Sequence, residues 1–271
     1  MRNIILHSHI FKNAGTTFDY TLKNNFKEDF IDHRDDVDMI DGKQKYLIQY
    51  LKKNKSIKAL SSHSIHFTAK SNANFNFHQV YFIRHPIERI KSVYNFEKKQ
   101  GSHTSLGAKM ANELNFIDYI EWRMGEDVPA TIRNCHTLFL SGEGPQANNV
   151  DNKFKAAHAT LKQLVLIGVV DRYDESMVVF EEYLTQYFSN IDLSYIRQNI
   201  TNKDNKKNVE EKVKEVMDTF NPNLKEIILK KNSYDMKLYE MSNNKLDEQI
   251  AKIMNFDERL KFFKQRCKDR L

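Results

Sequence analysis

The sequence is poor in the residues that interrupt or cross-link a chain. Its 271 residues include only two cysteines, four prolines and eight glycines. The two cysteines, Cys135 and Cys267, exclude a disulfide-rich scaffold and are typical of a reduced, intracellular protein. The scarcity of proline and glycine excludes collagen-like and low-complexity architectures. We therefore expect a soluble, cytoplasmic protein whose core is held together by packing.

Long hydrophobic runs and a strong charge of one sign are also absent. No apolar run approaches the roughly 18 residues of a membrane span, and the first residues lack the apolar stretch of a secretory signal. The 42 basic and 36 acidic residues give a net charge of +6, but they are interleaved along the chain. This pattern favours a solvated surface, so we expect neither nucleic acid nor a membrane as partner. The sequence leaves the oligomeric state open.

Hydrophobic residues make up 40% of the chain, which is enough for a sizeable core. Up to residue 171, short apolar runs alternate with helical patterns, and the rest of the chain is predicted to be wholly helical. Such alternation predicts a parallel sheet covered by helices on both faces. We expect one domain over residues 1–271, with an α/β core at 1–171 and a helical part at 172–271 packed on it. The predicted strands are residues 3–6, 57–61, 79–83 and 164–170, and the predicted helices are 18–26, one from Pro86, 174–188, 209–220 and 224 onward.

The segment after the first predicted strand combines features that bind anions. The loop FKNAGTT leads directly into a helix, whose first backbone N–H groups and dipole favour a phosphate or sulfate. Gly15 would let the backbone approach an anion, Lys12 adds a charge, and Thr16 and Thr17 add hydroxyl donors and could cap the helix. An ordinary capped helix start with a chance lysine fits the local chemistry equally well. The loop is not a Walker A motif, because its lysine precedes its glycine.

A second candidate anion site follows the third predicted strand. Arg84 comes directly after that strand, at its carboxyl end, where open α/β sheets bind ligands. Ser92 lies about two helical turns further along. Arg84 and Ser92 at this spacing could hold a second phosphate group. The alternative is a surface ion pair of Arg84 with Glu88 or Glu97.

Together the two segments resemble the sulfotransferases that use 3′-phosphoadenosine 5′-phosphosulfate (PAPS), in particular the carbohydrate branch that includes the heparan 2-O-sulfotransferases. Residues 9–17 read HIFKNAGTT where the family has H-I-P-K-T-A-G-T-T. Residues 84–94 read RHPIERIKSVY where the family has R-D-P-x-x-R-x-x-S-x-Y. Phe11, Asn13 and His85 stand where the family usually has Pro, Thr and Asp. Later segments resemble family elements in the same order: RNCHTLFLSG at 133–142, LIGVVDRYDESMVVFEEYL at 166–184 and NSYDMKLYE at 232–240.

The resemblance implies a fold, a reaction and a co-substrate. The fold would be a P-loop-like parallel sheet flanked by helices. The reaction would move a sulfuryl group from PAPS to a hydroxyl of a carbohydrate, on a polysaccharide or glycolipid, by in-line displacement without a metal. Arg84 and Ser92 would bind the 3′-phosphate, and Lys12 would stabilise charge on the bridging oxygen. The 5′-phosphate would be bound by donors of Asn13, Ala14, Gly15, Thr16 and Thr17.

The acceptor hydroxyl needs a general base, and LSSHSIHF offers His63 and His66 just after the second predicted strand. In the similar enzymes a histidine follows this strand, and His63 aligns best with it. A histidine near its usual pKa of about 6.5 suits a base at neutral pH. A packing role for His63 is the alternative. His66 is the second candidate for the base, and a glutamate, as in the related tyrosylprotein sulfotransferases, is the third.

Other side chains carry weaker signals. His7 and His9 share a face of the first strand, but two imidazoles do not complete a zinc site. Candidate contacts to the acceptor are the basic residues Lys70, Lys109, Arg123 and Arg133. Aromatic residues that either stack on a ligand or belong to the core are Tyr94, Phe96, Tyr119 and Trp122.

Two other function classes remain open on the sequence. A kinase-like phosphotransferase could use the same loop and helix start, and it would require Mg²⁺ and a nucleoside triphosphate. A non-catalytic protein that binds nucleotides or anions, including a sulfotransferase fold without turnover, is the other alternative.

Overall fold

The chain forms two compact units that interleave along the sequence. The structure, a computed structural model, describes residues 1–34, 36–142, 153–198 and 207–270. Unit 1 contains the described residues of Met1–Ile83, Ala159–Ile200 and Met241–Leu271. Unit 2 contains those of Arg84–His158 and Thr201–Glu240. The expectation of one domain with a helical part from residue 172 stays a prediction.

Unit 1 contains a parallel sheet, as the alternating pattern predicts. The order across the sheet is β2-β3-β1-β4-β5, and every neighbouring pair is parallel. The α/β class is therefore confirmed. The strands among the described residues are β1 (Arg2–Ser8), β2 (Phe30–Asp32), β3 (Ala59–Ser62), β4 (Phe75–Ile83) and β5 (Leu166–Val169).

Helices surround this sheet and make up most of unit 2. Those in the described part of the chain are α1 (Gly15–Phe26), α2 (Asp36–Lys53), α3 (Pro86–Lys99), α4 (Leu106–Glu113), α5 (Phe116–Arg123), α6 (Cys135–Leu140), α7 (Lys153–Gln163), α8 (Tyr173–Leu184), α9 (Val209–Asp218), α10 (Pro222–Lys231), α11 (Ser233–Ile250) and α12 (Phe256–Lys268).

The central strand β1 is buried because it is apolar on both faces. Ile4, Ile5 and Leu6 are fully buried, which is typical of a parallel strand covered on both sides. Ser8 at the end of β1 pairs in register with Ser62 at the end of β3. The residues that follow these two strands therefore emerge side by side at the carboxyl edge of the sheet.

The helices of unit 1 pack through residues spaced by one turn. Phe18 and Leu22 of α1 are four residues apart and both fully buried. Helix α8 packs on β5 and on α12, so the last helix of the chain is part of this unit. No helix among the described residues combines the length and the apolar composition that a membrane span requires.

In unit 2, helix α3 begins at Pro86, where the fixed φ of proline suits the first turn. Its apolar face is the one predicted, with Ile87, Ile90, Val93 and Tyr94 buried. Helix α3 packs against α4 and α9. Helix α9 has a capping box, formed by Asn208 and Glu211.

Several predicted boundaries were wrong. Strand β2, helix α2 and helices α4 to α7 were not predicted, and the first helix begins at Gly15 instead of residue 18. The strand predicted at 164–170 spans only Leu166–Val169. The prediction of a wholly helical chain after residue 171 fails at 185–198, where no helix forms. There the Asn25 side chain holds the non-helical backbone, donating to Asp192 O at 2.8 Å and accepting from Asp192 N at 2.9 Å.

Candidate active site

The loop between β1 and α1 has an unusual backbone held by a buried anchor. Lys12 and Ala14 both have left-handed backbone angles, with φ of 63° and 59°. Non-glycine residues rarely adopt this conformation unless the surroundings enforce it. Asn13 supplies that restraint, because its Nδ2 donates to Phe82 O of β4 at 2.6 Å and its N–H donates to Ile10 O at 3.2 Å. The side chain of Asn13, predicted within the phosphate-binding loop, thus fixes the loop to the sheet.

The predicted helix caps were misplaced. Helix α1 begins at Gly15, and Ala14, which precedes it, offers no capping side chain. Thr16 and Thr17 therefore lie inside the first turn. Thr16 is exposed, whereas Thr17 is buried and accepts a hydrogen bond from Gln198 N at 3.2 Å. Since the first N–H groups of a helix have no partner within it, the start of α1 retains the property that favours an anion.

Below the loop, two imidazoles share one carboxylate. Nδ1 of His7 lies 2.6 Å from Oδ1 of Asp19, and Nδ1 of His9 lies 2.9 Å from Oδ2 of Asp19. The two rings stack, with centroids 4.8 Å apart. Burial acts to raise the pKa of Asp19, but the adjacent His7 and His9 overcome it and hold that pKa well below its usual value. Asp19 is therefore ionised, accepts from the His7 ring and lies at ion-pair distance from the His9 ring.

His63, the first candidate for the general base, directly follows β3. Its Nδ1 lies 2.7 Å from the carbonyl oxygen of His9, and its ring centroid lies 4.1 Å from that of His9. A carbonyl can only accept, so Nδ1 carries the proton. Burial, together with His9, lowers the pKa of His63 to about 4, so the ring is neutral at neutral pH. Its Nε2, the basic nitrogen, has no hydrogen-bond partner among the described residues.

His66, the second candidate for the base, is held by its own loop. Its Nε2 donates to the carbonyl oxygen of His63 at 2.8 Å, so this nitrogen carries the proton. The backbone N–H of His66 donates to Ser64 O at 3.1 Å. These bonds make His66 a support for the turn that carries His63.

His7, His9 and Asp19 also meet the composition of a metal site, so we tested their geometry. Zinc with bonds of about 2.0–2.1 Å spaces tetrahedral ligand atoms about 3.3 Å apart. Here Nδ1 of His7 and Oδ1 of Asp19 are 2.6 Å apart, and the His9 imidazole lies closest to the other carboxylate oxygen, Oδ2. The His7–Asp19 contact is a hydrogen bond, and these two atoms as placed are too close together to share one zinc ion.

In unit 2, Arg84 at the start of the α3 segment is oriented by two side chains of that helix. Its Nε and Nη2 donate to the carboxylate of Glu88, and its Nη1 donates to Ser92 Oγ at 2.9 Å. Arg84 and Ser92 thus lie side by side, and the alternative ion pair with Glu88 is present; the binding of a phosphate by Arg84 and Ser92 stays a prediction. Glu97 does not take part, because it binds Arg123.

His85, which stands where the family usually has Asp, does not cap α3 with its side chain. Its ring packs edge-on against Tyr239, with centroids 4.9 Å apart. Burial lowers the pKa of His85 to about 4. The replacement of the family's Asp by His85 does not leave Arg84 without orientation, because Glu88 and Ser92 of α3 bind its guanidinium.

Two basic residues considered as acceptor contacts are internal to unit 2. Arg123 is 3% exposed and forms an ion pair with Glu97, which also accepts from the buried Tyr119 hydroxyl. Arg133 is buried and donates to Val128 O. These residues stabilise the unit. Lys70 and Lys109 are exposed and stay predictions.

The late segments that resemble family elements bind each other within unit 2. Oδ1 of Asn134 accepts from the N–H groups of Tyr234 and Asp235, at 3.1 and 3.0 Å. In return, the Asp235 carboxylate accepts from the N–H groups of His136 and Thr137, each at 2.8 Å. The segment 133–142 is therefore fixed to the segment 232–240 at the start of α6.

Comparison with known proteins identifies the family of the chain. Residues 2–242 match the profile of the sulfotransferase family. The chain therefore belongs to the sulfotransferase family. It is also similar to an uncharacterized protein of Archaeoglobus fulgidus, with 29% identity over 245 residues that cover 88% of this chain and 95% of that protein.

Proposed function

We propose that this protein transfers a sulfuryl group from PAPS to a hydroxyl group of a carbohydrate, with His63 as the general base. The observation that carries the proposal is the state of His63. Its protonated Nδ1 is bonded to the His9 carbonyl, and its basic Nε2 has no partner in the described part of the chain. His63 and the loop of Lys12 follow β3 and β1, which are neighbours in the sheet.

The assignment of the donor rests on the two motifs. Lys12 and the N–H groups at the start of α1 bind the 5′-phosphosulfate. Arg84 and Ser92 bind the 3′-phosphate, the group that distinguishes PAPS from ATP. The guanidinium of Arg84 suits this role, because it is a permanent positive charge that Glu88 and Ser92 hold in one orientation.

The chemical step is a displacement at sulfur. The acceptor oxygen forms a bond to sulfur, the bond from sulfur to the bridging phosphate oxygen breaks, and the acceptor proton passes to Nε2 of His63. The ammonium of Lys12 stabilises the negative charge that develops on the bridging oxygen. A positioned base contributes about 10²–10⁴-fold in rate, and charge stabilisation at the leaving group adds to it.

The carbohydrate class of the acceptor rests on the resemblance of the motifs to the carbohydrate branch. We would test it with radiolabelled PAPS and a panel of desulfated polysaccharides, a glycolipid and a tyrosine-containing peptide. Label on a saccharide supports the proposal. Label on the peptide alone would overturn the acceptor class and leave the sulfotransferase activity standing.

The donor is tested by thermal unfolding with 3′-phosphoadenosine 5′-phosphate (PAP), compared with ATP with and without Mg²⁺. A ligand at 100 times its dissociation constant stabilises the folded state by about 2.7 kcal/mol, which raises the midpoint by several degrees. We expect a shift with PAP alone, and its loss in Arg84→Ala.

The control is Arg172→Ala, which removes an arginine bound to Glu175 and Asp247 in unit 1 and keeps the PAP shift. A shift that requires ATP with Mg²⁺, without any response to PAP, would contradict the proposal and favour a kinase-like phosphotransferase. The same PAP shift in Arg84→Ala as in the wild type would contradict the assignment of the 3′-phosphate.

A further inference from the structure

The proposed base, His63, lies at one end of a buried series of contacting side chains that begins at the carboxylate of Asp19. Asp19 on α1 binds the rings of His7 and His9, and His9 contacts His63 in two ways. Its carbonyl oxygen accepts from Nδ1 of His63 at 2.7 Å, and its ring lies against the ring of His63 with centroids 4.1 Å apart. All of these residues belong to unit 1.

These contacts constrain where the protons lie. Oδ1 of Asp19 accepts from Nδ1 of His7, and Oδ2 of Asp19 lies 2.9 Å from Nδ1 of His9, so the carboxylate favours a proton on Nδ1 of each ring. Nε2 of His9 then faces Gly15 at the start of α1, where a methyl group would lie 2.4 Å away. An unprotonated nitrogen suits this position, since the start of a helix carries partial positive charge.

We infer that Asp19, acting through His9, is the positioning residue that fixes the orientation of His63 and keeps its proton on Nδ1, so that Nε2 faces the acceptor hydroxyl. His63 is packed against His9 on one side and bonded to the carbonyl of the same residue. A change in the position or tautomer of the His9 ring is therefore expected to alter the orientation of His63. This inference rests on the proposed function for the role of His63 as base, but the arrangement of protons does not depend on it.

Asp19→Asn is the sharpest variant, because it keeps the shape of the side chain and removes one acceptor. An asparagine at this position accepts from one imidazole and must donate to the other. One of the two rings therefore has to move its proton to Nε2 or lose its partner. If His9 changes, its protonated Nε2 faces Gly15 and the ring is displaced from His63.

The measurement is a long-range nitrogen–proton correlation spectrum of protein labelled on histidine, which reports which ring nitrogen carries the proton. In the wild type we expect His63 as a single neutral species with the proton on Nδ1. In Asp19→Asn we expect the His63 signals to shift toward a mixture of the two neutral tautomers. Asp29→Asn is the matched control, since Asp29 pairs with Lys58 at 2.9 Å in the same unit, and its spectrum should match that of the wild type at His63.

Two outcomes overturn the inference. A wild-type His63 with its proton on Nε2 would do so without any variant, so the test does not depend on whether Asp19→Asn folds. An unchanged His63 in a folded Asp19→Asn would show that the carbonyl of His9 suffices without Asp19. The proposed function fails separately: a wild type with the expected tautomers but no midpoint shift with PAP would contradict PAPS as the donor and leave the arrangement of protons intact.

Discussion

Gly15 and His9 are in direct contact, and the space beside Gly15 is filled by an imidazole. A Cβ built on Gly15 would lie 2.3 Å from Cδ2 of His9 and 2.4 Å from its Nε2. It would also lie 2.8 Å from Cε1 of His7. These distances are far below any normal van der Waals contact. Gly15 is thus required by the histidines below the loop, in addition to any role in the approach of an anion.

Gly15→Ala is therefore expected to destabilise the protein. The methyl group would push the His9 ring away from Asp19, and overpacking of this kind typically costs about 1–3 kcal/mol. Denaturant unfolding would show the loss as a lower midpoint. Gly101→Ala is the matched control, because the nearest atom to its added Cβ would be Thr104 Oγ1 at 3.9 Å. Equal midpoints in the two variants would contradict the steric role of His9.

Much of the fold could be predicted from the sequence, because strong local patterns determine it. The run IIL predicted β1, and the spacing of Ile87, Ile90 and Val93 predicted α3 with its buried face. The edge strand β2 was missed because it has only three residues, Phe30–Asp32, and no apolar run of its own. Its place in the sheet is given by pairing with β3, which no local pattern reports.

The candidate site was only partly predictable for a similar reason. Lys12, Arg84, Ser92 and His63 follow strands or belong to motifs, so they could be proposed as site residues from the sequence and its family resemblance. The role of Asp19 could not be predicted from the sequence. It depends on contacts with His7 and His9, which form only when α1 packs on β1. The orientation of charged groups around a buried carboxylate is a property of the folded unit.

The link between the two late family segments leads to a prediction about unit 2. Asp235 is 1% exposed and accepts from Thr137 Oγ1 at 2.7 Å in addition to the two N–H groups of α6. Asp235→Asn replaces one acceptor oxygen with an NH2 group, which cannot accept from the hydrogen-bond donors of α6. Leaving buried groups without partners costs on the order of 2–4 kcal/mol. Urea unfolding should show this loss.

The control for Asp235→Asn is Asp218→Asn, at the exposed end of α9. A surface substitution of this kind usually changes stability by less than about 0.5 kcal/mol. If Asp235→Asn were as stable as Asp218→Asn, the bonds between the two segments would contribute nothing to stability. The family resemblance of the segment 232–240 would then need an explanation other than the anchoring of α6.

The two candidate bases can be separated by a matched pair of variants. His63→Ala removes the basic Nε2 and should lower the rate of sulfuryl transfer by about 10²–10⁴-fold, with PAP binding retained. His66→Ala removes the bond to the carbonyl of His63 and should lower the rate less, because the base itself remains. The measurement is single-turnover transfer from radiolabelled PAPS to a polysaccharide that accepts label. A larger loss in His66→Ala would reverse the two roles.

Buried histidines predict how stability depends on pH. Burial lowers the pKa of His78 to about 4, and the same cause lowers those of His63 and His85 to about 4. In the unfolded chain a histidine has a pKa of about 6.5, so between about pH 6.5 and pH 4 the unfolded state binds more protons than the folded state. The stability from keeping these rings neutral is fully present above about pH 6.5 and is lost as the pH falls toward 4.

His78 is suited to a test, because it lies within β4, contacts Asn3, Tyr183 and Tyr187, and is outside the candidate site. The wild type should lose stability between about pH 7 and pH 5, with on the order of 1–2 kcal/mol from each buried histidine. His78→Gln keeps a polar side chain that does not titrate. It should be less stable than the wild type at about pH 7, through lost packing, but it should lose less stability on acidification. Urea unfolding at both pH values separates the two effects, and an equal loss in variant and wild type would show that His78 is not kept neutral by the fold.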